Sequence, residues 1–167
     1  LGAFNDNLFK TVVSMIVLKE ILGNDSSVLY ASLTAALFFL PYILFSAFAG
    51  WCSDRFSKSD MIRWTKQLEL GVMVVGFVAF MSDSTELLLL CVFLMGMQSA
   101  LFSPSKLGIL PEILHLSELS KANGYLEFIV FSAIIIGTAS AGFISDGSFG
   151  NPGVLCIIIA IIGILCR

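Results

Sequence analysis

Charge is what this sequence has little of. Asp, Glu, Lys and Arg make up 13% of its 167 residues, against about 25% in ordinary soluble domains. A chain so poor in charge cannot cover a globular surface with polar groups. Histidine is nearly absent, with only His115, which sits in a mixed polar stretch and reads as a surface residue. The four cysteines, Cys52, Cys91, Cys156 and Cys166, form no CxxC pair, so neither a metal site nor a disulfide framework is expected. No hydrolytic triad, Gly-rich phosphate loop or other catalytic constellation appears, and no cofactor is implied. A basic face for nucleic acid is lacking as well. Strand-like alternation is missing, which argues against a β-barrel.

What the chain has is apolar length. Hydrophobic residues make up 57% of it and the mean hydropathy is +0.97. The expected fold is an all-α integral membrane protein with six transmembrane helices. Their expected spans are residues 1–22, 28–53, 61–81, 87–103, 123–145 and 154–167. Turns are expected at Gly23–Ser27, at Ser82–Glu86 and over Asp146–Gly153. Pro41 reads as a kink and Pro104 as the end of the fourth helix. Residues 107–122 mix Ile109, Leu110, Ile113 and Leu114 with Glu112, Glu118 and Lys121. That pattern suits an amphipathic connector lying along the membrane surface. The chain starts on apolar Leu1-Gly2-Ala3-Phe4 and stops just after an apolar run, so a piece of a longer protein is expected. No cleavable signal peptide is evident.

Between the second and third runs lies a charged loop, Gly50 to Arg63. Arg55, Lys58, Arg63 and Lys66, four of the nine basic residues, fall in it or just after it. Lys106 and Lys121 lie in the fourth-to-fifth connection and Arg167 follows the sixth run, while the opposite connections hold only Lys19. Positive charge concentrates on the cytoplasmic side, so both ends of the chain are expected in the cytoplasm. An internal echo fits that layout. Ala49-Gly50-Trp51-Cys52-Ser53-Asp54 and Ala141-Gly142-Phe143-Ile144-Ser145-Asp146 share the pattern AGxxSD. They end helices of opposite direction, so two inverted three-helix repeats are expected.

With those residues in view, the chain resembles the major facilitator superfamily. Gly50-x-x-x-Asp54-Arg55-x-x-Lys58 is similar to that family's loop signature, with Ser57 where Gly is usual and Ser59 where a second basic residue is usual. The resemblance implies the first six-helix half of a twelve-helix carrier, with a second six-helix half missing here. A narrower likeness is to the bacterial lysophospholipid transporters. It rests on Gly2-Ala3-Phe4-Asn5-Asp6-Asn7, Ser103-Pro104-Ser105-Lys106-Leu107-Gly108-Ile109-Leu110 and Lys121-Ala122-Asn123-Gly124. It implies a carrier in the bacterial cytoplasmic membrane, with membrane lipid around it. Lysophosphatidylethanolamine-like lipid would move from the outer to the inner leaflet by alternating access. In some bacteria such a carrier is fused to an acyltransferase and acyl-ACP synthetase, and Asn5 and Lys10 look closer to that form. Two other functions stay open: a proton-coupled exporter of drugs or small solutes, and a membrane anchor for an acyltransferase.

The candidate binding residues follow from depth and spacing. Asp6 and Lys10 stand four apart on one face of the first helix, and ionisable groups at that depth are functional candidates. Together they could meet the amine and phosphate of a headgroup, or simply neutralise each other. Asn5 and Asn7 could assist or act as packing glue. Gln98 could line a cavity or bond between helices. Lys106 could hold a phosphate or anchor the inner face. Asn123 and Glu127 share a face of the fifth helix, where Glu127 could meet an amine, relay a proton or pair with Lys106. Glu69, deep in the third helix, could pair with Arg63 or Lys66. Gly50, Asp54, Arg55 and Lys58 read as gating, because Asp54 opposes the dipole at a helix C-terminus and invites a basic partner from the other half. Phe38, Phe39, Phe45, Phe48 and Phe102 could line a path for an acyl chain. Gly71, Gly76, Gly137, Ala141 and Gly142 read as close-packing positions.

Overall fold

A computed structural model describes residues 1–20, 27–82, 84–145 and 152–165. These residues form six long helices and one short one: α1 Gly2–Glu20, α2 Ser27–Arg55, α3 Lys58–Met81, α4 Thr85–Gly108, α5 Leu110–Ile113, α6 Leu116–Ser145 and α7 Pro152–Leu165. Four stretches within the described residues are long and apolar enough to cross a membrane, from α2, α3, α4 with α5, and α6. The 19 residues of α1 reach about 28 Å at 1.5 Å per residue, close to the thickness of a hydrocarbon core.

Serine sets two of the helix starts. The Ser57 hydroxyl accepts the Asp60 amide at 3.2 Å and opens α3; Ser84 accepts the Leu87 amide at 3.4 Å and opens α4. Each satisfies a backbone donor left over in the first turn. Asp60 and Glu86 add favourable charge there. The departure from the usual Gly at position 57 thus supplies a cap, and the α2–α3 connection shrinks to Phe56 and Ser57.

Two sequence expectations are corrected. The fourth helix does not stop at Ser103 but continues through Pro104 to Gly108. Tertiary contacts hold those last turns: Ser105 is buried and donates to Ser53 at 3.4 Å, and a Cβ on Gly108 would lie 2.8 Å from the Lys58 side chain. The 107–122 connector is also not one amphipathic segment. It divides among the end of α4, the four-residue α5 and the first turns of α6. The Gly23–Ser26 turn, the side chain of Lys19, Asp146 with the turn that follows it, Cys166 and Arg167 lie outside the described residues.

α1 is the hub. Asn5, Leu8, Phe9, Val12, Val13 and Val17 are at most 1% exposed, so helical spacing buries one continuous stripe. Lipid removes most of the hydrophobic drive between helices, which leaves close packing to hold them. Gly96 on α4 and Gly137 on α6 carry the tightest of these approaches. A Cβ there would stand 2.2 Å from the Phe38 carbonyl oxygen and 2.6 Å from that of Phe4. Gly76 seats the Phe9 ring, whereas Gly71 has open space. Ala49 and Ala141, the matching positions of the echo, are both fully buried.

The packing is nearly unchanged when α1–α3 exchange with α4, α6 and α7, as an inverted repeat requires. The α2–α4 contact becomes α6–α1, α3–α4 becomes α7–α1, and α3–α7 maps onto itself; all are present. The exceptions are α1–α2 and the slighter α2–α3 contact, whose images α4–α6 and α6–α7 are not substantial contacts among the described residues. A cavity separates α4 from α6.

Candidate functional site

That cavity has a volume of about 700 Å³. Its wall runs from Lys10 and Phe38 near mid-bundle to Leu1, Lys66 and Lys106 toward the end that carries the α2–α3 loop. α1 supplies Asp6, Asn7 and Lys10; α2 supplies Phe38, Phe39 and Tyr42; α4 supplies Gln98, Ser99, Phe102 and Lys106; α6 supplies Glu127 with Ile129, Val130 and Ile134. Charged side chains and aromatic or aliphatic ones are therefore interleaved around the cavity. A smaller hollow of about 380 Å³, between Phe4, Leu8, Phe143, Ile144, Leu155 and Ile159, has Ser140 as its single polar wall residue among the described residues.

Asp6 is 7% exposed and accepts a hydrogen bond from the Ser99 hydroxyl through Oδ2. Its other oxygen, Oδ1, is buried with no hydrogen-bond partner among the described residues. Lys10 does not pair with it. The Lys10 ammonium donates to Asn7 Oδ1 at 3.1 Å and sits 4.8 Å and 5.5 Å from the Phe38 and Phe39 ring centres. The opposite-sign pair expected on α1 is thus two separate groups: one faces a serine, the other is held over aromatic rings.

The ion pair of this wall lies on α3. Lys66 donates to Glu69 Oε2 at 2.6 Å, and Asn5 Nδ2 approaches Glu69 Oε1 at 3.4 Å. Glu69 is 2% exposed and Asn5 fully buried. Asn5 therefore braces a carboxylate behind the cavity and does not line it; its Oδ1 is also without a partner among the described residues. Sequence reasoning did not single out Lys66, Ser99 or Tyr42 as site residues. For Lys66 a signal existed: a lysine three residues before a deep glutamate, on one helical face.

The other expected residues divide. Gln98 is buried beside Ser99, within 3.2 Å of its hydroxyl, and reaches the cavity. Lys106 and Glu127 both line it, yet they form no ion pair with each other among the described residues. Asn123 lies outside the lining. Of the phenylalanines, Phe38, Phe39 and Phe102 line the cavity, and Phe45 and Phe48 do not. In the charged loop, Asp54 and Arg55 are exposed, with Arg55 5.7 Å over the Trp51 ring. Lys58 bonds to Glu112 of α5, and Gly50 has open space around it. Among the described residues no group of His, Cys, Asp and Glu could hold a metal ion.

The sequence profile described as the Major Facilitator Superfamily matches residues 1–167. The chain belongs to that superfamily. With its long apolar helices it is a multi-pass membrane protein. It is similar to proteins named lysophospholipid transporter LplT. The one from Yersinia enterocolitica is 31% identical over 99% of this chain and 39% of its own length. Those from Serratia proteamaculans and Pectobacterium carotovorum are 31% and 29% identical, over 95% and 94% of this chain and 37% and 36% of their own. The chain thus spans about two-fifths of the length of these relatives.

Proposed function

We propose that this chain is the N-terminal half of a carrier that moves lysophospholipid, of the lysophosphatidylethanolamine kind, from the outer to the inner leaflet by alternating access. The observation that carries the reading is the mixed lining of the cavity. Lys10, Lys66 and Lys106 share it with Asp6 and Glu127, while Phe38, Phe39, Phe102 and the α6 aliphatics supply apolar surface between them. A zwitterionic headgroup needs both signs of charge, and an acyl chain needs the apolar wall. The likeness to proteins named lysophospholipid transporters supports the same substrate class. Asp6 is the contact for the headgroup amine, because it lines the cavity and its buried Oδ1 has no partner among the described residues. Asn7, Gln98 and Glu127 assist it. The α2–α3 junction, with Gly50, Asp54 and Arg55 at the end of α2 and Lys58 at the start of α3, belongs to the gate on the cytoplasmic side. The remaining six helices complete the cavity, and an acyltransferase, fused or separate, consumes the delivered lipid.

The test is uptake of labelled lysophosphatidylethanolamine by spheroplasts that express the full-length protein. Uptake by the wild type and its loss in Asp6→Asn, with normal insertion, is the expected result. No uptake by the wild type overturns the function, and equal uptake by the variant removes Asp6 from it. Transport that follows a proton gradient, without competition by lysolipid, would instead mark a solute exporter. An absence of flipping in liposomes would leave only a membrane anchor.

A further inference from the structure

Lys66 lies eight positions into α3, about 12 Å from the helix start. A bare ammonium at that depth is costly unless paired. Glu69 pairs it at 2.6 Å and is itself sealed from the cavity at 2% exposure, with Asn5 against its second oxygen. The lysine is the exposed member of the pair: its side chain keeps 15% exposure and lines the cavity. Space for it is built in. A Cβ on Gly2 would stand 2.9 Å from the ammonium, one on Gly163 3.8 Å, and the Phe102 ring centre is 5.4 Å away.

An ammonium has three donors. Glu69 takes one, and the others remain for a ligand in the cavity. We propose that Lys66, fixed by Glu69 and Asn5, is the contact for the phosphate of the headgroup; this rests on the lysolipid reading above and deepens it. Lys10 is less suited, because its ammonium is already held over two rings and bonded to Asn7. Lys106, in the last turn of α4, is placed to balance that helix's dipole. A cation held in place before the ligand arrives loses little freedom on binding. Glu69 is then a positioning residue. It keeps the empty site neutral and leaves the phosphate to supply the second anion around one ammonium.

The experiment uses the purified full-length protein and a fluorescent lysophosphatidylethanolamine. Unlabelled lysophosphatidylethanolamine and a monoacylglycerol with the same acyl chain compete for it. The wild type is expected to favour the phospholipid by at least about tenfold, the scale of one good charge contact. Lys66→Met should cut that preference several-fold, leaving the share that the amine contact at Asp6 supplies, and Lys66→Arg should keep most of it, since charge and reach are retained. The double variant Lys66→Met/Glu69→Gln removes the ammonium without stranding a buried carboxylate, so it guards against simple misfolding. Glu69→Gln alone should shift selectivity toward lysophosphatidylglycerol, whose headgroup is net negative; unchanged selectivity there overturns the positioning role of Glu69. Full preference in the double variant overturns the Lys66 assignment and leaves the lysolipid reading standing. Failure of lysophosphatidylethanolamine to compete in the wild type overturns both.

Discussion

Two carboxylates are buried beside the same cavity, and their surroundings are opposite. Glu69 on α3 has a lysine on one oxygen and an asparagine amide near the other. Asp6 on α1 has a single serine hydroxyl and one oxygen without a partner among the described residues. A buried charge with an ion partner and hydrogen bonds is a finished structural unit. One with an open acceptor is costly at rest, and that cost is recovered when a cationic group arrives. The difference separates what holds this wall together from what is left for a ligand, although both residues look alike in sequence as deep acidic groups.

The largest effect should come from breaking the finished unit. Glu69→Gln strands the Lys66 ammonium, and loss of one member of a buried pair costs roughly 3 kcal/mol. Thermal unfolding of the full-length protein in detergent should report it, and Lys66→Met/Glu69→Leu should recover most of the loss. A single variant as stable as the wild type would mean that the pair is wet and the contrast with Asp6 is false. Next comes the packing that brings Ser99 to Asp6. Gly96, one turn before Ser99, lies against the Phe38 carbonyl so closely that a Cβ would meet it at 2.2 Å. Gly96→Ala must push α4 from α2 at a cost of about 1–3 kcal/mol. Gly71→Ala, in open space, should instead be neutral or stabilise by up to about 1 kcal/mol.

The helices were legible because each is a long apolar run bounded by polar turns, and Asp6 was legible because a charge inside such a run is rare. The misreadings have a common cause. Pro104 reads as a stop in local terms, yet Ser105 and Gly108 lock the following turn against Ser53 and Lys58. Ser99 looks like ordinary small-residue packing, and only the fold brings it to a carboxylate 93 positions away in the chain. Lys66 looks like part of the positive cluster after the loop; its pairing with Glu69 is local, at i,i+3 spacing, whereas its cavity face is a tertiary fact. Asn5 was expected in the site and sits one layer behind it. Its helical neighbour Asp6, about 100° around α1, takes the cavity-facing place.

The comparison sharpens when Asp6 is made neutral. Asp6→Asn keeps the shape and the oxygen that Ser99 meets, and it removes a buried charge that lacks an ion partner. Its stability should therefore match or exceed the wild type, within about 1 kcal/mol, while transport is lost. Unfolding and uptake measured on the same preparation would decide the point. If Asp6→Asn unfolded as readily as Glu69→Gln, Asp6 would be structural after all.

The smallest expected effect on stability lies at the far end of the cavity. Lys58 and Glu112 tie the first turn of α3 to α5, with side chains 23% and 54% exposed. A pair that meets water contributes less than about 1 kcal/mol, so Lys58→Met should leave thermal unfolding nearly unchanged. Lys58 and Glu112 are absent from the cavity lining, so substrate affinity should hold as well. What the variant should alter is the maximal rate, because the contact joins the α2–α3 loop to the connection that leads into α6, one wall of the cavity. A changed KM with an unaltered rate would place Lys58 in binding and remove it from the gate.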